Sequence, residues 1–232
     1  MTTTQKDING KKAGIRHPAK YTDVLIPKMA EMLLEVNGGK VLDPFCGTGK
    51  IGLIREHGFS GRIYGNELEP EWIKDNLYGC DVITTQDAEF LDYPEGFFDA
   101  ICTSPTYGNR MADHHNAKDG SQRLTYTHCL GRQLHEGNTG AMQFGETYRD
   151  KHRRIYTHLA TLVRKDGIFI LNIKDHVRRG KVVDVVGFHR TALREAGFIP
   201  IEEVVVDTPC MGFGRNSALR IKNEYIIKFR KT

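Results

Sequence analysis

The sequence predicts an α/β fold: a mostly parallel seven-stranded sheet with helices on both faces and an antiparallel hairpin at its C-terminal end. Three observations point there. Short apolar runs alternate with helical patterns from residue 25 to residue 103. The same alternation resumes near residue 148, after a long polar interruption. The last two apolar runs, 199–206 and 224–229, read as the hairpin that closes the sheet.

Each element has its own signal. Leu25, Met29, Met32, Leu33 and Val36 recur at helical spacing, and Gly38-Gly39 ends that helix. Residues 40–43 read as a short buried strand, followed by a glycine turn and a helix over about 50–57. The second strand is 62–67 and the second helix 71–77; 82–85 and 98–103 are the third and fourth strands. Tyr148, Ile155, Tyr156, Leu159 and Val163 share one helical face. Residues 167–173 form the fifth strand by composition, and a helix over about 183–196 precedes the closing hairpin. Residues 1–16, polar and basic, are expected as a loose tail, leaving 17–232 as one domain. The stretch 108–147 is polar, glycine-rich and aperiodic, and is too long for an idle connection.

At 232 residues and 39% hydrophobic content, the chain can bury one full-sized core. No apolar run approaches the roughly 18 residues of a membrane span, and the first residues lack the apolar centre of a secretory signal. Cysteines 46, 80, 102, 129 and 210 are odd in number and show no paired spacing. A disulfide framework is therefore not expected, and a reducing cytoplasm fits best. A net charge of +4 permits a polyanionic partner without requiring one.

Asp43-Pro44-Phe45-Cys46-Gly47-Thr48-Gly49-Lys50-Ile51-Gly52 closes the first strand. Gly47, Gly49 and Gly52 satisfy a dinucleotide-type spacing, a weak signal alone. The surrounding residues choose among cofactors. Asp43 would repel a pyrophosphate and suit a cation. A P-loop also fails, because its first glycine falls on Pro44 and Lys50 is followed by Ile51. S-adenosylmethionine carries a sulfonium and an ammonium and no phosphate, so the acidic entry favours it. Glu67, ending the second strand, can accept both ribose hydroxyls, and Leu68 can pack on the adenine. Asp87, after the third strand and beside Ala88, can accept the adenine amino group. Any one of these acids reads more plainly as a solvated turn residue. Together they sit at three successive strand ends, where ligands of such sheets bind.

Ser104-Pro105-Thr106-Tyr107 follows the fourth strand and opens on the same edge. An exocyclic amine of a nucleobase is a poor nucleophile, because its lone pair is conjugated into the ring. Two acceptors aimed at its N–H bonds favour a more pyramidal nitrogen that can attack a sulfonium methyl. Ser104 and the carbonyl of Pro105 can be those acceptors. Tyr107 offers a face for an extruded base, worth roughly 1–3 kcal/mol. Catalysis would then come from positioning and electrostatics, without a metal or a titrating base. In isolation the tetrapeptide is a proline-containing turn; its placement beside the glycine loop gives it chemical meaning.

With these residues in view, the chain resembles the class I S-adenosylmethionine-dependent methyltransferases. Within them it is similar to the branch that methylates exocyclic amines of DNA bases, cytosine N4 or adenine N6. Residues 43–49 resemble that family's cofactor motif, and Ser104-Pro105-Thr106-Tyr107 its catalytic Ser/Asp/Asn-Pro-Pro-Tyr motif. His17-Pro18-Ala19-Lys20-Tyr21-Thr22 resembles the segment beside the methionine part of the cofactor, which implicates Tyr21 and Thr22. The resemblance implies a Rossmann-like sheet, S-adenosylmethionine as cofactor and the 104–107 corner as catalytic. Thr106 departs from it, standing where the family has a second proline. Ser104 in place of Asp leans toward cytosine N4. No large separate recognition domain is expected, so selectivity falls to the insertion or to a partner.

Arg110, Lys118, Arg123, Arg132, Arg149, Lys151, Arg153 and Arg154 lie in or just after the insertion against five acids, an excess of three. Tyr126, Tyr148 and Tyr156 interleave with them. This segment, with Arg178-Arg179-Gly180-Lys181, is expected to grip phosphates, against the plainer alternative of a solvated loop. Six of the ten histidines fall between His114 and His158, yet no CxxC or HxxxH spacing supports a zinc site. Asp113-His114 and Asp175-His176 could pass for catalytic dyads; surface polarity is expected for both.

The expected function is methylation of a base flipped out of double-stranded DNA, because the acceptor nitrogen is paired inside the duplex. RNA base methylation would use the same motifs and is the alternative. A cofactor-binding but inactive nucleic-acid-binding protein is a third possibility, suggested by Thr106. A homodimer is compatible with the small size.

Overall fold

A computed structural model describes residues 17–18, 22–108, 125–178, 180–208, 219 and 221–232. The expected tail (1–16), Tyr21, Arg110, Lys118, Arg123, the Asp113-His114 pair and Arg179 lie outside the described residues.

The strands are β1 (Lys40–Asp43), β2 (Arg62–Asn66), β3 (Val82–Thr84), β4 (Phe98–Thr103), β5 (Val163–Ile173), β6 (His176–Arg178), β7 (Lys181–Val183), β8 (Phe198–Asp207) and β9 (Asn223–Lys231). Seven of them form one sheet in the order β3-β2-β1-β4-β5-β9-β8. The first five pair in parallel, and β9 inserts antiparallel between β5 and β8. The chain runs outward from β1 to β3 and returns to β4 beside β1. That reversal opens a crevice at the carboxyl ends of β1 and β4, where such sheets bind ligands.

Central strands buried on both faces read as continuous apolar runs, and alternate residues supply two separate layers. Ile101, Phe169 and Leu171 face α4 (Glu146–Leu162) and α5 (Val185–Glu195), packing with Phe98, Tyr156 and Leu193. Ala100, Cys102, Ile168 and Ile170 face the other way, with Met29 and Leu33 of α1 (Leu25–Leu33) and with Ile51 and Ile54.

Four elements differ from expectation. Val163, expected on the helical face, instead opens β5, which begins four residues before the expected 167. The segment after the glycine loop is a 3-10 helix, Lys50–His57, entered through Gly49 at φ +79°. Its tight packing is visible at Gly52, where an added Cβ would stand 1.9 Å from the Tyr78 carbonyl oxygen. The expected helix over 71–77 is a single turn, α2 (Pro70–Ile73). Asn76, at φ +42°, stops it by bonding the Cys80 backbone through its side chain at 2.8 and 2.9 Å. His176–Arg178 and Lys181–Val183 pair as the β6–β7 hairpin, so α5 starts two residues later than expected. No described helix is long and apolar enough to cross a membrane.

Candidate active site

The crevice is a cavity of about 360 Å³. The loop after β1 contributes Pro44, Phe45, Cys46 and Gly47 to its wall; the end of β2 contributes Glu67 and Leu68. Asp87 and Ala88, after β3, and Ser104, Pro105, Thr106 and Tyr107, after β4, complete the same wall. The glycine loop and the Ser-Pro corner therefore open into one space.

Three residues expected at the cofactor, Asp43, Gly49 and Thr22, do not line the cavity. Asp43 is fully buried and bridges two strand ends: its Oδ1 accepts from the Thr103 hydroxyl at 2.6 Å and from the Phe45 N–H at 3.1 Å. Gly49 shapes the backbone of the loop. Thr22 heads α1, its carbonyl accepting from the Leu25 N–H at 3.1 Å.

Glu67 is the acid most closely integrated with the loop. One carboxylate oxygen accepts from the Gly47 N–H at 2.9 Å and the other from the Glu69 N–H at 3.0 Å. Burial nevertheless pushes its carboxyl up to about 7. Each oxygen keeps a second lone pair for a ligand hydroxyl. Asp87 caps the next turn through the Glu89 N–H at 3.1 Å, and its other oxygen receives Lys151 Nζ at 2.6 Å. Cys46 lines the cavity, but burial and the nearby carboxylates of Asp43 and Glu67 push its thiol well above its usual range, which disfavours a nucleophilic thiolate.

At the corner, the Ser104 and Tyr107 hydroxyls are 3.3 Å apart. The Thr106 hydroxyl meets that of Thr139 at 2.7 Å, and the Thr106 carbonyl accepts from the Tyr148 phenol. Beyond Ser104 the rim continues into Asn172, Lys174 and Glu224. The Asn172 amide donates to Glu224 at 3.2 Å, and Lys174 Nζ donates to the Thr208 hydroxyl at 2.7 Å. This end of the cavity thus carries donors and an acceptor.

Sequence reasoning missed these rim residues and three others. Asn66 knits two strand-end loops together, donating to the carbonyls of Pro44 (3.2 Å) and Gln86 (3.0 Å). Glu69 is fully buried and anchors the near end of the insertion, accepting from the His135 N–H (2.8 Å) and the Asn138 amide (2.9 Å). Trp72 lines the cavity with a buried indole N–H that has no acceptor among the described residues. Asn66 and Glu69 do carry one signal, a position at or just beyond a strand end.

The insertion, where described, is an ordered wall. It contains α3 (Tyr126–Leu130), and Tyr126, Asn138 and Thr139 line the cavity. Arg132 is exposed but held by acids of the chain, its guanidinium on Glu71 (2.6 and 2.8 Å) and Glu69 (2.8 Å). Lys151 pairs with Asp87 and Glu89, Arg154 with Glu89, and Arg153 with Asp150 and Glu195. Tyr126, Tyr148 and Tyr156 are all buried. Arg178 and Lys181 are exposed on the β6–β7 hairpin. Asp175-His176 departs from the surface polarity expected of it: His176 is buried, and Asp175 caps α5 through the Val185 and Val186 N–H groups, both at 2.9 Å. Among the described residues, no group of acids, histidines and cysteines is arranged to hold a metal.

No family model matches the chain. One curated relative is the tRNA (guanine(10)-N2)-dimethyltransferase of Methanothermobacter thermautotrophicus, 35% identical over 105 residues. The match covers 40% of this chain and spans only 30% of that protein. Among solved structures, a precorrin-6y C5,15-methyltransferase from Geobacter metallireducens superposes with a TM-score of 0.55 at 14% identity, covering 95% of this chain and 93% of that one. An S-adenosylmethionine-dependent methyltransferase from Mesorhizobium loti gives 0.50 at 16%, covering 88% and 96%. The [4+2]-cyclase SpnF gives 0.56 at 16%, covering 90% and 81%. The chain thus has the class I methyltransferase fold, a Rossmann-like architecture that also carries other chemistry.

Proposed function

We propose that the chain is an S-adenosylmethionine-dependent methyltransferase acting on the exocyclic amine of a nucleobase in DNA, with the base drawn out of the duplex into the Ser104 corner. The observation that carries this is the shared cavity of the glycine loop and the Ser104-Pro105-Thr106-Tyr107 corner. Residues at the loop end suit the cofactor. Glu67 retains acceptor capacity for ribose hydroxyls, Leu68 offers an apolar surface, and Asp87 an acceptor. The buried Trp72 N–H, which has no acceptor among the described residues, is a donor that a ligand carboxylate can satisfy. Bound there, S-adenosylmethionine supplies a methyl group activated by a positively charged sulfur.

The residues of the chain act by position. Ser104 Oγ and the Pro105 carbonyl accept the two N–H bonds of the amine, drawing its lone pair out of conjugation. Tyr107 stacks on the base. Arg178 and Lys181 take the flanking phosphates, and the reaction belongs to the cytoplasm. Ser104 at the head of the corner favours cytosine N4 over adenine N6. Incubation with labelled cofactor and separate DNA and RNA pools tests the assignment, with label expected in DNA.

RNA base methylation is the second reading, and the similarity to a tRNA guanine-N2 methyltransferase favours it. Label in RNA alone would establish it. Cofactor retained without transfer to either pool would mark an inactive binding protein.

A further inference from the structure

Thr106 lacks the ring that fixes the backbone of a proline. Two hydrogen bonds hold it instead, one through its hydroxyl to Thr139 and one through its carbonyl from Tyr148. Behind Tyr148 the bonding continues inward. His189 Nε2 lies 2.9 Å from the Tyr148 hydroxyl, and His189 Nδ1 lies 2.6 Å from the Tyr156 hydroxyl. All three side chains are fully buried, the tyrosines on α4 and the histidine on α5.

Proton inventory fixes the direction of every bond. A carbonyl can only accept, so the single Tyr148 proton goes to Thr106. Nε2 must then donate to the Tyr148 oxygen. Burial holds the imidazole well below its ordinary pKa and hence neutral, and a neutral imidazole has one N–H. Nδ1 is therefore bare and accepts from Tyr156. The chain runs from Tyr156 through His189 and Tyr148 to Thr106.

We propose that Tyr148, His189 and Tyr156 are positioning residues that aim the Ser104–Tyr107 corner at the acceptor amine. The proposal rests on that corner being the methyl-acceptor site. The Thr106 carbonyl belongs to the peptide joining Thr106 to Tyr107, so anchoring it sets the tilt of Tyr107. One peptide earlier, the same anchor limits the swing of the Pro105 carbonyl. None of the three side chains lines the cavity. They act through the corner and not on the base.

Tyr148→Phe keeps the ring and removes only the O–H. In this variant kcat for methyl transfer should fall about 10- to 100-fold, as expected for a misplaced acceptor, while cofactor Kd changes by less than about twofold. Amide exchange across residues 104–108, read by mass spectrometry, should quicken about tenfold or more. His189→Gln, whose amide can still donate to Tyr148, should keep most of kcat, and His189→Leu should not. Unchanged exchange in Tyr148→Phe would overturn the positioning role whether or not transfer is detected. So would an equal loss of cofactor affinity and kcat, the mark of general loosening. Wild-type protein that binds cofactor and methylates neither polymer would instead remove the reading beneath the proposal.

Discussion

The Thr103 hydroxyl donates to the Asp43 carboxylate at 2.6 Å, tying the strand end that launches the glycine loop to the one that launches the Ser104 corner. Both residues are fully buried. Thr103→Val keeps the shape and leaves the carboxylate short of a donor. Unfolding free energy in urea should fall by about 1.5–3 kcal/mol, with cofactor affinity and transfer falling together. A loss under about 0.5 kcal/mol, the range of ordinary surface changes, would mean that the tie does not hold the rim.

Cofactor binding should depend on pH through Glu67. Burial pushes its carboxyl up to about 7, so the free protein carries it largely protonated below that pH. Ribose hydroxyls bond the ionised form more strongly. Binding should therefore tighten as pH rises from about 6 to about 8 and release protons at the acid end. Calorimetry in buffers of different ionisation enthalpy reads both effects. A flat affinity, or proton uptake on binding, would contradict the role given to Glu67.

Ser104→Ala removes one of the two acceptors offered to the amine. Transfer should slow by about 100-fold or more, the usual scale for one lost polar contact to a reacting group, with cofactor binding preserved. Tyr107→Ala should weaken substrate capture by roughly 1–3 kcal/mol. Full transfer by Ser104→Ala would remove the clamp.

Arg178 and Lys181 pair across the β6–β7 hairpin and are exposed, whereas Arg132 and Arg153 are bound to acids within the chain. Replacing Arg178 and Lys181 by Ala should reduce the slope of log affinity against log salt by about 2. Arg132→Ala and Arg153→Ala should leave the slope nearly unchanged. Equal effects from both pairs would show that the hairpin is not the phosphate contact.

The sheet and the glycine loop are legible in the sequence because they are local. Apolar runs of four to six residues end in an acid or a Gly-Thr-Gly turn, and the Ser-Pro corner stands one residue past such a run. What stays hidden is long-range pairing. Glu69 belongs to no motif, and its burial depends on His135 and Asn138, more than sixty residues away. Arg132 and Lys151 look like other cations of a basic stretch, and only the fold shows Glu71 and Asp87 paired with them. The 176–183 hairpin is too short to show a period. Tyr148 and Tyr156 sit on the expected helical face, yet nothing local tells that His189 links their hydroxyls.

The most direct measurement is mass spectrometry of nucleosides released from DNA and RNA after incubation with cofactor bearing a deuterated methyl group. The expected product carries that methyl on an exocyclic nitrogen, with cytosine N4 in DNA first among the candidates. Label on a ring carbon or a ribose oxygen would contradict an amine held at Ser104 and Pro105.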